Sequence, residues 1–178
     1  AQEFGVVPDM MTMAKATTNG VVPMGVVACK DEMYDAVMDA SPMGAVELFH
    51  GYTYSGIPVS VAAALAVQDI FEKDDIFNRV KELTPYFQKS IFSLRDLESV
   101  ANIRGQGLMA GIDMKLNTKP GKAGYETFKS CYEVGVNFKA TGDCLIIAPQ
   151  FICEKKHIDE IVDKVRTGII NYQKNQKN

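Results

Sequence analysis

One short apolar run ends in a lysine. Met10-Met11-Thr12-Met13-Ala14 leads directly into Lys15, and Asn19-Gly20 follows before Pro23-Met24-Gly25. A run of that length suits a buried strand, and Asn-Gly is a reversal signal, so the order read here is strand, lysine, turn. Burial disfavours an ammonium ion. An amine carried into apolar surroundings is therefore freer to attack a carbonyl and form a Schiff base. The residues alone leave a second reading open, a surface lysine whose stem covers apolar neighbours.

Two other stretches carry groups that can bind anions. His50-Gly51-Tyr52-Thr53-Tyr54-Ser55-Gly56-Ile57-Pro58 is rich in glycine and hydroxyls and enters a helix at Pro58. Such a loop offers N–H and O–H donors, and a helix N-terminus adds a field that favours negative charge. It also reads as a plain structural turn. Phe138-Lys139-Ala140-Thr141-Gly142-Asp143 places a second lysine just before a Gly-Asp turn. Lys139 reads equally as a carboxylate anchor and as a solvated strand-end residue. His50 and His157 read as ordinary polar residues. Cys29, Cys131, Cys144 and Cys153 lack Cys-x-x-Cys spacing, so no metal site is expected and free thiols in a reducing compartment are the simplest account.

The elements that must position these groups follow from periodicity. Val21 to Cys29 reads as a second strand, and Asp31 to Ala40 as a short helix with Met33, Val37 and Met38 on one side. Pro58 to Phe71 is apolar nearly all round, which predicts a helix sandwiched between layers. Asp74 or Asp75 can cap a further helix carrying Ile76, Val80, Leu83, Phe87 and Ile91, interrupted by Pro85. A hairpin follows, with Val100 to Arg104, a turn at Gly105-Gln106-Gly107, and a strand from Leu108 to Met114. Asn117 to Gly121 reads as a polar turn and Lys122 to Val134 as a helix stopped by Gly135. Val136 to Lys139 with Cys144 to Ala148 reads as a second strand pair. Ile158, Ile161, Val162, Val165 and Ile169 mark a closing amphipathic helix, and Gln173 to Asn178 a polar tail.

The 178 residues carry a formal net charge of -3 with no basic stripe, which sets nucleic acid aside. No apolar run approaches the roughly 20 residues that span a bilayer. Ala1-Gln2-Glu3-Phe4-Gly5 reads as the interior of a longer protein.

The stretch from Asp9 to Gly25, with Met-Ala-Lys-Ala-x-x-Asn-Gly and then Pro-Met-Gly, resembles the lysine segment of class III aminotransferases, which depend on pyridoxal phosphate. His-Gly-Tyr-Thr-Tyr-Ser at 50–55 is most similar to the branch that moves amino groups from beta-alanine and other omega-amino acids to pyruvate. Arg104 to Gly111 resembles the Arg-Gly-x-Gly-Leu-Met-x-Gly stretch near the start of the family's small domain, to which only a structural role is given. The family's motif order holds along nearly the whole chain.

The resemblance implies an α/β fold, the fold-type I arrangement of pyridoxal-phosphate transferases. Residues 1–74 would be the end of a large cofactor domain with a mostly parallel sheet, and 75–178 a small α+β domain. It implies that Lys15 holds the cofactor as a Schiff base and then moves the proton, and that Thr53 reaches the cofactor phosphate of a neighbouring subunit in a homodimer. Lys139 falls where the family has an arginine for the substrate carboxylate. Thr17, where a larger apolar residue is usual, and Ile57, where asparagine or histidine is usual, are further departures. A cytoplasmic enzyme using a small-molecule donor and a keto acid is expected. Other expectations from the same resemblance are a 4-aminobutyrate or ornithine transaminase, an aminomutase, or an inactive piece, since the chain matches roughly the last two-fifths of a subunit and three further cofactor contacts of the family lie upstream of Ala1.

Overall fold

The computed structural model describes residues 1–43, 52–116 and 119–176. It divides into two compact units, Ala1–Asp74 and Asp75–Asn178. In the first, β1 (Met10–Ala14) pairs antiparallel with β2 (Gly25–Cys29), in a register that sets Met10 opposite Cys29 and Ala14 opposite Gly25. The connection contains Lys15 at φ 61°, Asn19 at φ 51° and Gly20 at φ 78°, three left-handed positions, of which Asn19-Gly20 is the expected reversal. Helix α1 (Asp31–Ala40) follows, with Asp31 and Glu32 in its first turn, where negative charge suits the helix dipole. Helix α2 (Pro58–Lys73) starts with proline at its first position, whose missing N–H has no helical partner to lose.

One expectation about this unit does not hold. Only Ser60 and Val67 of α2 are buried, while Val59, Leu65 and Ile70 are exposed, so no sandwich forms around it among the described residues. Among the described residues the strands of this unit are one antiparallel pair, and β1 is exposed apart from half-buried Met13 because it has a single partner and no covering layer there.

The second unit holds the core. Helix α3 (Ile76–Phe92) buries Ile76, Leu83, Phe87 and Ile91, at the spacings that put them on one face. Asp75 stands at its N-cap with φ 47°, but its carboxylate accepts from the Asn78 side chain instead of a backbone N–H. A four-stranded antiparallel sheet follows, in the order β3 (Val100–Gln106), β4 (Met109–Met114), β6 (Cys144–Ile147), β5 (Lys139–Thr141). The β3–β4 turn lies one step later than its glycines suggest. Gln106 pairs with Met109, so the loop is Gly107-Leu108 with Gly107 at φ 57°, and Gly105 belongs to the strand.

One face of this sheet is apolar and buried, carrying Ile103, Ala110, Ile112, Met114, Leu145 and Ile147. Helices α4 (Lys122–Glu133) and α5 (Lys155–Gln176) pack on each other and contribute Ala123, Cys131, Ile158, Val165 and Ile169 to the same core. The expected polar tail is helical as far as Gln176. Tyr172 is buried there and Gln173 bonds to Ser99, which extends the apolar face by a further turn.

The crossing of α4 and α5 is close because Gly168 has no side chain. A Cβ there would sit 2.4 Å from Cys131 Sγ and 2.7 Å from Cys131 Cα. Alanine would gain about 1 kcal/mol in helix propensity. Overpacking costs about 1–3 kcal/mol and more when backbone must move, as it must here. Gly168→Ala is therefore expected to be net destabilising, lowering the urea midpoint with little change in slope. A raised midpoint would show that the helices part freely.

Candidate functional site

Lys15 follows β1 immediately, with φ 61°. A left-handed backbone costs an ordinary residue about 1–2 kcal/mol, so the turn around it must hold it there. Thr18 is the pin. It is 2% exposed, its N–H donates to the Lys15 carbonyl at 3.3 Å, and its hydroxyl donates to the Val22 carbonyl at 2.6 Å. Ser60 at the start of α2 donates its hydroxyl to the Pro23 carbonyl at 3.3 Å, tying that helix to the stretch after the turn. The lysine's position is thus fixed by backbone bonds. Its side chain is exposed, and it makes no hydrogen bond or ion pair among the described residues. The burial expected around it is not found among the described residues, for the reason given for β1.

Beside it, Thr17 Oγ1 is closed off from solvent with no hydrogen-bond partner among the described residues. A buried hydroxyl left unpaired costs about 1–3 kcal/mol, an unmet demand two residues from the lysine. Thr53 lies in a single tight turn, Tyr52–Tyr54, exposed and with its hydroxyl uncommitted among the described residues. His50 and Gly51, the start of that loop motif, lie outside the described residues. A free primary amine and a free hydroxyl are the donor types that an aldehyde and a phosphate take. The residues present therefore fit pyridoxal phosphate in kind.

Lys139 belongs to the other unit. It opens β5 opposite Ile146, and with Thr141, Cys144 and Ile146 it faces away from the buried side of the sheet. It is exposed, and its side chain makes no hydrogen bond or ion pair among the described residues. On the same open face a pocket of about 390 Å³ is lined by Arg104, Gln106, Met109, Gly111, Cys144 and Ile146, and by none of Lys15, Thr53 and Lys139. Arg104 there is ion-paired with Asp113, in line with a structural role. Burial and the Asp113 carboxylate push the Cys144 thiol up despite Arg104, and burial pushes Cys131 up to about 12, so neither is a ready nucleophile at neutral pH. His157 is a helix-start residue, its Nδ1 accepting from the Glu154 N–H at 3.0 Å.

Asp143, which the sequence marks only as part of a Gly-Asp turn, has a further role. Its Oδ2 accepts from the Gly121 N–H at 2.6 Å, its Oδ1 from the Gly124 N–H at 2.9 Å, and its carbonyl from the Met114 N–H at 2.8 Å. Helix α4 starts at Gly121, which has no side chain to cap it, so Asp143 supplies the cap from 22 residues away. A missing local cap was the only signal available.

Comparison with known proteins decides the family. The family model described as Aminotransferase class-III matches residues 1–169. The chain belongs to the class III aminotransferases. It is 42% identical over 169 residues to an omega-aminotransferase of Caulobacter vibrioides, covering 93% of this chain and 38% of that protein. It is 38% identical over 167 residues to a beta-alanine–pyruvate aminotransferase of Pseudomonas aeruginosa, covering 93% and 37%. A solved structure of a transaminase with L-ala superposes with a TM-score of 0.91 at 27% identity, covering 98% of this chain and 43% of that one. This class III chain therefore spans about two-fifths of the length of the curated relatives it matches. Its α/β fold is the corresponding portion of the pyridoxal-phosphate transferase fold.

Proposed function

We propose that this chain forms part of a pyridoxal-phosphate-dependent transaminase that moves an amino group from an omega-amino acid or amine, beta-alanine-like, to pyruvate. The observation that carries the reading is Lys15, an uncommitted amine locked by backbone bonds at the end of β1 inside a matched class III segment. The names of the matched relatives support omega-amino donors and pyruvate as acceptor.

Lys15 would hold the aldehyde of the cofactor and Thr53 its phosphate, the latter across a homodimer interface; such an enzyme would work in the cytoplasm. When bound, pyridoxal phosphate supplies the carbonyl that takes up the amino group and the ring that spreads the electron pair left by a departing proton. The chain's own contribution is acid–base work and position. Displaced by an amino donor, Lys15 Nζ would take the proton from the donor's amine-bearing carbon and hold it for return. Lys139 would draw the donor or acceptor carboxylate as a point charge.

Borohydride reduction of the natively expressed protein, followed by peptide mass mapping, tests this reading. A reduced pyridoxyl adduct on Lys15 is the expected outcome, and its absence would overturn the assignment of both cofactor and lysine.

Lys139 also favours a second reading, in which amines without a carboxylate are preferred. Arginine grips a carboxylate through two parallel bonds where lysine makes one mobile contact. Lys139→Arg is expected to lower KM for beta-alanine and pyruvate by roughly tenfold, the worth of one added charged hydrogen bond. Unchanged Michaelis constants for both would remove Lys139 from carboxylate binding.

A further inference from the structure

The β5–β6 hairpin that presents Lys139 is short. β5 has three residues, Lys139–Thr141, and it is an edge strand with a single partner. In a hairpin the turn and its loop length fix the register, and a slip of one residue turns every side chain to the opposite face. Such a slip would swing Lys139 from the open face toward the side where Leu145 and Ile147 are buried.

What opposes the slip is at the loop. Gly142-Asp143 closes the hairpin in two residues, with Gly142 at φ 57°, and the Asp143 carboxylate spans the Gly121 and Gly124 N–H groups at the start of α4. Gly124 accepts this approach only because it lacks a side chain. A Cβ there would lie 2.2 Å from the Gly142 carbonyl oxygen and 2.8 Å from Asp143 Cα. The Asp143 carbonyl is also bonded to Met114 at the end of β4. The loop is therefore fastened to a helix and to the sheet centre, independently of the β5–β6 ladder.

We propose that Asp143 is a positioning residue for substrate binding: its clamp on the start of α4 fixes the register of β5 and with it the face and height at which Lys139 meets a carboxylate. This rests on the reading of Lys139 as that anchor.

The test compares beta-alanine with benzylamine, a donor with no carboxylate, in the natively expressed protein carrying Asp143→Ala, Asp143→Asn, Lys139→Met or the Asp143→Ala/Lys139→Met pair. The expected result is a rise of about tenfold in KM for beta-alanine in Asp143→Ala, with the benzylamine KM moving less than about twofold. Asp143→Asn, which keeps one acceptor oxygen, should recover part of the loss. In the Lys139→Met background, adding Asp143→Ala should change the beta-alanine KM no further.

A separate readout needs no turnover. Amide hydrogen exchange over residues 139–147 should speed up in Asp143→Ala and return toward wild type in Asp143→Asn. If Lys139→Met leaves the beta-alanine KM unchanged, the anchor reading itself fails. If Lys139→Met raises it but Asp143→Ala moves both donors equally, or neither, the anchor stands and the positioning role is overturned. Should Asp143→Ala fold poorly, Asp143→Asn decides by the same donor comparison.

Discussion

Lys15→Ala is expected to lower kcat for beta-alanine and pyruvate in the natively expressed protein by at least about 10⁴-fold, since a positioned acid–base group alone contributes roughly 10²–10⁴. The same variant should give no reduced adduct on borohydride treatment. The loss should be chemical and not structural. The turn that holds Lys15 uses its carbonyl, which accepts from Thr18, and the buried Thr18 side chain, none of which depends on the lysine's amine. Alanine tolerates the left-handed angle about as well as lysine does, and the deleted side chain is exposed, so unfolding stability should stay within about 0.5 kcal/mol. Lys15→Arg sharpens the result. Guanidinium keeps the charge but is not deprotonated in proteins, so it can neither attack a carbonyl nor accept a proton. It should lose as much rate as alanine. Activity within tenfold of wild type in either variant would show that Lys15 is not the reactive amine.

How much of this could be read from the chain depends on the range of the forces involved. Helix α1 runs from Asp31 to Ala40 as its pattern indicates, because acidic first-turn residues and an apolar stripe are local signals. The same holds for Pro58 opening α2, for Gly135 ending α4 at φ 87°, and for Asn19-Gly20 reversing the chain after Lys15. Lys15 and Thr53 were legible as residue types in matched segments; what surrounds them was not. A run such as Met10–Ala14 encodes the capacity to be buried, while burial itself requires a covering layer, which β1 and α2 lack among the described residues. The β3–β4 turn was misread by one step because three candidate positions carry two glycines, and the register that chooses between them is a cross-strand property. The capping role of Asp143 was invisible for the same reason. Its partners Gly121 and Gly124 sit at the start of α4, about twenty residues before it, and no local pattern announces a cap supplied from that distance.

Phe87→Ala is expected to be the most damaging single change to stability in the second unit. Phe87 is 0% exposed at the middle of α3, with Leu83 and Ile91 one turn to either side on the same buried face. It belongs to the cluster that includes Ile103 and Ile112 from the sheet and Ile158 and Val165 from α5, so its ring serves three elements at once. Truncating a buried phenylalanine costs about 3–5 kcal/mol, transfer energy plus the cavity left behind. Against the roughly 5–15 kcal/mol that holds a domain together, that is at least about a fifth of the total. A fall of this size corresponds to at least about 12 °C in melting temperature for a unit near 100 residues. Collapse of the site is limited here, because the neighbouring β-strands are fixed by their ladders. Phe87→Leu, which refills most of the volume, should recover most of the loss. Urea unfolding read by hydrogen exchange in β4 and β6 isolates this unit from the first. A loss under about 1 kcal/mol would mean that the core is not closed around Phe87. A large loss has a consequence for the reaction as well. The sheet that carries Lys139 rests on this core, and the clamp at Asp143 can hold β5 in register only while α4 keeps its place against α5.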